Sequence, residues 1–320
     1  MVITNSALDL IGKTPLVRLK KLSESVEANV LVKLEYLNPS GSIKDRIALK
    51  MIEEAEKEGV LKPNYTIVES STGNTGIALA FVGTLKGYKV VIYETIPGMM
   101  GQEKIKIMKN FGAQVNVITP KEIDLLKEKS VPGAEIELPG RRICLELEKN
   151  NPNVWWAHQF SNPNNVKAHH ETAKEILDQT QNNVDTFVAS IGTGGTLMGI
   201  AEALKKELPH IRVVGIQPAS SKETMKPRRP YPRSDIKGGI VSDMLERLNL
   251  IDEVVRVSDE EALKVTHMLW DREGLFAGVS SGANVYVALR EAEKLGKGKN
   301  VVTVLPDSGD RYLTEEHYVT

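Results

Sequence analysis

Cysteine is all but missing from this chain: Cys144 is the one thiol in 320 residues. No internal disulfide can form, and one thiol cannot build a cysteine metal cluster. Net charge is missing too, at −1 from 41 Lys and Arg against 42 Asp and Glu. Nothing in that balance points to nucleic acid or to an anionic membrane surface. No uncharged apolar run reaches the length that spans a bilayer. The opening Met1-Val2-Ile3-Thr4-Asn5 lacks a basic segment followed by an apolar core, so no signal peptide is expected. There is no repeat at a fixed period and no low-complexity tract. The expectation is a soluble, cytoplasmic protein with no metal site.

What is present is ordinary in bulk and patterned in detail. The chain is 41% hydrophobic and 26% charged, as globular proteins are. Its length suits two domains of usual size. Short continuous apolar runs, such as Asn29–Leu34, Thr66–Glu69, Lys89–Tyr93, Thr186–Ser190, Arg212–Gln217 and Asn300–Leu305, alternate with helical patterns. That alternation predicts an α/β fold of open, twisted, mostly parallel sheets with helices on both faces. Asn150-Asn151-Pro152-Asn153 marks a break between two such layers. A cleft between them is where a ligand would bind.

One lysine stands out by position. In Asn38-Pro39-Ser40-Gly41-Ser42-Ile43-Lys44-Asp45-Arg46, Pro39 and Gly41 make a turn and Ser42 can cap a helix starting at its end. Ile47, Met51 and Ala55 then fall at helical spacing, and Gly59 ends the pattern. Lys44 therefore sits in a first helical turn, where the macrodipole is positive. That field and any burial disfavour the ammonium and leave an amine able to attack a carbonyl. Taken alone, Lys44 reads as a surface lysine on a helix start.

Four loops change that reading, because each lies at a strand end or a helix start. Ser70-Ser71-Thr72-Gly73-Asn74-Thr75-Gly76 is uncharged and rich in hydroxyls and backbone N–H groups, which suits a carboxylate. Ile191-Gly192-Thr193-Gly194-Gly195-Thr196-Leu197 reads as a phosphate cup. It is not a P-loop, since no Lys-Ser/Thr pair follows the last glycine. It is not a dinucleotide fingerprint, since Leu197 stands where the third glycine belongs. Gly278-Val279-Ser280-Ser281-Gly282 opens another helix, and Leu305-Pro306-Asp307-Ser308-Gly309-Asp310-Arg311-Tyr312 follows the last strand. A lysine plus a phosphate cup, without a metal cluster or nucleotide motif, points to pyridoxal phosphate held on a lysine.

On these residues the chain resembles the fold type II pyridoxal-phosphate enzymes, and within them the cysteine synthase (O-acetylserine sulfhydrylase) and cystathionine β-synthase family. The resemblance also runs through Gly12-Lys13-Thr14-Pro15-Leu16-Val17 and His158-Gln159-Phe160-Ser161-Asn162-Pro163. It implies that Lys44 binds the cofactor and shuttles a proton, that Asn74 meets the ring hydroxyl oxygen, and that Ser280 faces the pyridine nitrogen. Gly192, Thr193, Gly194, Gly195 and Thr196 would hold the phosphate. Ser71, Thr72, Gly73, Thr75 and Gln159 would hold the substrate carboxylate. Asp307 rivals Ser280 for the ring nitrogen, but the family pattern gives that place to the serine and leaves Asp307 a structural role. The implied domains are a larger, phosphate-binding one from residues 1–36 with 151–320, and a smaller, mobile, substrate-binding one from 37–150.

The implied reaction is β-replacement on an O-activated L-serine, O-acetylserine or O-phosphoserine, through an aminoacrylate, with sulfide or a thiol adding to give L-cysteine or a related amino acid. Condensation of serine with homocysteine, serine or threonine dehydration, and a non-catalytic binding paralogue are the alternatives. The resemblance further implies a homodimer and a serine acetyltransferase tail as a partner. Two segments depart from the sulfhydrylase pattern, Thr119–Gly140 and Asp235–Asp243. Lys226, Arg228, Arg229 and Arg233, just before the second, are candidates for binding a phosphorylated substrate or are simply a solvated basic loop.

Overall fold

The computed structural model describes residues 3–94, 102–118, 134–220, 249–315 and 318. Most of the first departing segment, all of the second, and the basic residues 226–233 lie outside the described residues.

The strands in chain order are β1 (Leu16–Arg18), β2 (Asn29–Leu34), β3 (Thr66–Ser70), β4 (Lys89–Glu94), β5 (Gln114–Val117), β6 (Val154–Trp156), β7 (Thr186–Ser190), β8 (Arg212–Pro218), β9 (Glu253–Val257) and β10 (Asn300–Leu305). The α-helices are α1 (Lys44–Lys57), α2 (Asn74–Leu85), α3 (Gln102–Asn110), α4 (Ala134–Asn150), α5 (Pro163–Thr180), α6 (Gly195–Glu207), α7 (Asp259–Met268) and α8 (Val279–Ala292). One sheet has the order β1-β2-β10-β7-β8-β9, the other β5-β4-β3-β6. Every pairing among the described strands is parallel except β1 with β2.

The apolar runs explain this arrangement. A strand buried on both faces must be apolar at successive positions, as β10 is. Val301 and Leu305 pack on one face of the larger sheet, with Val285 and Ala288 of α8. Val302 and Val304 pack on the other, with Ile176 of α5 and Leu197 of α6. The smaller sheet is covered likewise. Ile67 and Ile92 meet α1 and α2 on one face, and Val68 and Val91 meet Cys144 of α4 on the other.

Two differences from the sequence reading matter. β6 lies beyond the break expected at residue 150, yet it pairs with β3, so the division between the sheets falls after Trp156. Its three residues are too short to show a period. α8 begins at Val279, within the Gly278–Gly282 turn expected to precede it, so Ser280 stands inside a helical first turn.

Beneath the lysine loop lies a buried ionic network. Arg46 of α1 donates to both Glu35 oxygens at 2.7 and 2.8 Å and to both Glu175 oxygens at 2.7 and 2.8 Å. Lys33 of β2 donates to Glu175 at 2.7 Å and to the Thr14 carbonyl at 2.6 Å. Paired with two cations, Glu175 is held down at about 2 despite its burial. The network ties β2, α1 and α5 together around the helix that carries Lys44.

Candidate active site

Both sheets turn the C-terminal ends of their parallel strands to one region, where ligands bind in open α/β sheets. There a cavity of about 190 Å³ is lined by Lys44, Asn74, Ser280, Asp307 and Tyr312, and by the turn of Gly192, Thr193, Gly194 and Thr196. Those residues come from segments separated by most of the chain. β10 brings them together: it lies between β2 and β7, so Pro306 and Asp307 emerge beside the lysine loop. The Ile43 N–H donates to the Pro306 carbonyl at 2.8 Å, and Ser42 and Asp307 form an isolated antiparallel bridge.

Lys44 opens α1; the N-cap is Ile43, which gives no side-chain cap, while Oγ of the expected cap Ser42 accepts only from the Lys44 N–H, at 3.3 Å. It is partly exposed toward the cavity it lines, and burial lowers its pKa from the usual 10.5, opposed by the carboxylates of Asp307 and Glu35. The loop before it is held shut by Asp45, which accepts from the Ser40 N–H at 2.7 Å and from the Ser40 hydroxyl. Arg311 closes it from the other side by donating to the Ser40 carbonyl.

The turn after β7 faces Lys44 across the cavity. Gly194 has φ +88°, a left-handed conformation suited to glycine, and it caps α6 with no side-chain bond. The first N–H groups of α6 therefore have no partner within the helix and offer an anion site. Gly192 has open space where a Cβ would stand. Gly195 is outside the cavity lining, and a Cβ there would collide with the Asn165 side chain. Thr196 shares a 3.1 Å hydrogen bond with His169 Nε2. Burial, and then the Lys44 charge, push His169 well below 6.5, so its ring is neutral.

Asn74, the first residue of α2, is held from the larger sheet. Its Nδ2 donates to Asp307 Oδ2 at 2.7 Å and its Oδ1 accepts from Arg311 at 2.8 Å. The Tyr312 hydroxyl donates to the same Asp307 oxygen at 2.6 Å. Burial and that carboxylate keep the Tyr312 phenol well above 10. Asp307 Oδ1 is buried without a partner among the described residues.

The residues expected to bind the substrate carboxylate border a neighbouring region, outside the lining of this cavity. Ser71 Oγ accepts from the N–H groups of Gly73 at 3.3 Å and Gly76 at 3.0 Å, so the hydroxyl caps its own turn. Thr75 is buried, while Thr72 and Gly73 are partly exposed. Gln159 reaches the same turn: its Nε2 donates to the Ser70 carbonyl at 2.7 Å. Asn165 links the two regions, donating to the Gln159 carbonyl at 2.8 Å and to Thr193 Oγ1 at 3.3 Å. Asn165 and His169 carry no local sequence signal, because their contacts are made over long separations; Arg311 and Tyr312 stand in a loop the sequence flagged, but with no role given to either.

The donor set fits pyridoxal phosphate. An open helix N-terminus framed by glycines and threonines suits its phosphate, a buried amine suits its aldehyde, and Ser280, Asn74 and the unpartnered Asp307 oxygen lie between them to meet a polar ring.

A family model described as pyridoxal-phosphate dependent enzyme matches residues 7–307, and the chain belongs to that family. It is 41% identical to a cysteine synthase of Staphylococcus aureus over 313 residues, 97% of this chain and 95% of that one. The fold matches a cysteine synthase structure from Entamoeba histolytica with a TM-score of 0.85 and 34% identity, over 100% of this chain and 92% of that one. It also matches an O-acetylserine-dependent cystathionine β-synthase from Helicobacter pylori with a TM-score of 0.83 and 34% identity, over 98% and 99%. The protein is thus a fold type II pyridoxal-phosphate enzyme of cysteine synthase type.

Proposed function

We propose that this enzyme replaces the β-substituent of an O-activated L-serine with sulfide or a thiol, giving L-cysteine or a related amino acid. The observation that carries the reading is the cavity shared by Lys44 and the glycine turn at the start of α6. Lys44 attaches the cofactor, Gly192 to Thr196 hold its phosphate, Ser280 faces the ring nitrogen, and Asn74 meets the ring hydroxyl. Bound pyridoxal phosphate supplies an aldehyde that takes up the substrate amine and a ring that accepts electrons from the α-carbon.

The chain's residues do the rest. Ser71, Thr72, Gly73, Thr75 and Gln159 orient the substrate carboxylate. The Lys44 amine, its pKa lowered by burial, takes the α-proton at Nζ as acetate or phosphate leaves the β-carbon. The sulfur then bonds to that carbon, and Nζ returns the proton. The smaller sheet moves against the larger as a substrate-binding domain. The same reading includes a cytoplasmic homodimer and docking of a serine acetyltransferase tail.

The test is product analysis with purified enzyme, added pyridoxal phosphate, O-acetyl-L-serine and sulfide, beside the visible spectrum. Cysteine and acetate are expected. Pyruvate and ammonia would mark a dehydratase. A protein with no visible cofactor band, and no change on Lys44→Ala, would be a non-catalytic paralogue. Repeating the kinetics with O-phosphoserine fixes the leaving group.

A further inference from the structure

Glu69 stands in β3, one residue before the strand ends, fully buried and outside the lining of the cofactor cavity. Among the described residues its partners are N–H groups and not a cation. Oε1 accepts from the Ser70 N–H and from the Trp156 indole, each at 2.8 Å, and Oε2 accepts from the Gln159 N–H at 2.9 Å. All three partners are donors, which suits an ionised carboxylate and leaves a proton on Glu69 nothing to bond. Burial raises its pKa, and the bonds from Trp156, Gln159 and Ser70 oppose the rise.

Those donors sit where two strands part. β3 and β6 pair as far as Val68 and Trp156, and the Ala157 N–H still reaches the Val68 carbonyl at 3.2 Å. His158 then takes φ +55°, which ends the extended course of the chain. Beyond that point side chains replace the backbone ladder. Glu69 holds the Ser70 and Gln159 N–H groups, and Gln159 Nε2 donates back to the Ser70 carbonyl at 2.7 Å. The second N–H of that amide has no partner among the described residues. Trp156 braces the joint. Its ring stacks on His158 with centres 3.8 Å apart, and Glu148 bonds both the Trp156 N–H and His158 Nε2 at 2.9 Å.

The two segments leaving the sheet here are the two that the reading proposed above, on which this inference rests, assigns to the substrate carboxylate. Ser71, Thr72, Gly73 and Thr75 follow Ser70, and Gln159 is the other half. We propose that Glu69 is the positioning residue of this carboxylate site: it fixes the spacing between the Ser71–Thr75 turn and Gln159, so that both close on one carboxylate. Glutamine in its place has nearly the same shape but turns an NH2 toward at least one of the three donors, and the clamp loses a bond. The contacts expected for the cofactor phosphate, its ring and Lys44 lie in the cavity that Glu69 does not line, so they stay in place.

The test uses two ligands of the holoenzyme that differ only by a carboxylate and carry no leaving group, L-alanine and ethylamine. Binding is read at one pH from the shift of the visible cofactor band. Glu69→Gln should weaken L-alanine about tenfold or more, the scale of one hydrogen bond to a charged group, and leave ethylamine and pyridoxal phosphate within about twofold. Glu69→Asp, which keeps the charge, should recover part of the loss. With O-acetyl-L-serine and sulfide, the loss should fall on KM for the ester and spare KM for sulfide. If Glu69→Gln does not fold, Trp156→Phe carries the same comparison. It removes one of the three donors and should weaken L-alanine but not ethylamine. Equal weakening of both ligands overturns this inference alone, and so does an unchanged affinity for L-alanine. A wild type with no cofactor band, or one whose band answers neither ligand, overturns the underlying reading as well.

Discussion

Asn74 and Asp307 stand 233 positions apart in the chain and share a 2.7 Å hydrogen bond from the smaller sheet's α2 to the loop after β10 of the larger. The bond fixes the side-chain amide and brings a carboxylate into the cofactor cavity. Asp307→Asn keeps the shape but removes the charge that Asn74 and Tyr312 both bond to. Hydrogen bonds to charged groups contribute about 1.5–3 kcal/mol. Affinity for pyridoxal phosphate should fall about tenfold or more, read by titrating the visible band. An unchanged titration would leave Asp307 without influence on the cofactor.

Lys44→Ala removes both the attachment point and the proton carrier. General-base removal alone costs about 10²–10⁴ in rate, so kcat with O-acetyl-L-serine should fall at least that far. The visible band should shift even without substrate. A variant with near-wild-type turnover would exclude Lys44 from the chemistry.

Glu175 gives a pH prediction. Its folded pKa is about 2 against a usual 4.5, so it binds its proton less readily when folded. The stability it contributes is fully present above about 4.5 and is lost as pH falls through about 2. Glu175→Gln should cost about 3–5 kcal/mol at neutral pH, as expected when a buried pair is broken. The gap between variant and wild type should close through that acid window, measured by denaturant unfolding at stepped pH. A gap independent of pH would mean the ion pairs contribute nothing.

Gly195→Ala tests the link between the two halves of the site. The new Cβ would strike Asn165, whose amide bonds both the Gln159 carbonyl and Thr193. Affinities for the cofactor and for the serine ester should both fall, by about tenfold or more if one hydrogen bond to each side is lost. Loss of one alone would show that Asn165 does not couple them.

Much of this was legible in the sequence because it is local. Lys44 opens its helix just after the turn that Pro39 and Gly41 foretell, although Ile43 and not Ser42 is the N-cap, and the glycine turn at 192–195 lies where strand meets helix. The resemblance to a known family placed those pieces in one site. Three-residue β6 was not legible, since so short a run has no period. Nor were the charges of Glu35, Arg46 and Glu175, which read as ordinary surface residues until folding buries them against one another. Asp307 was singled out, but its hold on Asn74 depends on the order of strands in a sheet, which no local pattern encodes.

The place of β10 has a consequence for biosynthesis. It is the last described strand in the chain yet sits in mid-sheet between β2 and β7. A nascent chain emerging from the ribosome carries Lys44 long before it carries the strand that completes its cavity. Until residues 300–307 emerge, β2 and β7 have no partner between them and the amine stays hydrated and protonated. Cofactor capture is therefore one of the final events of maturation, and truncation anywhere before β10 leaves a polypeptide with its lysine in place and nothing to make it reactive.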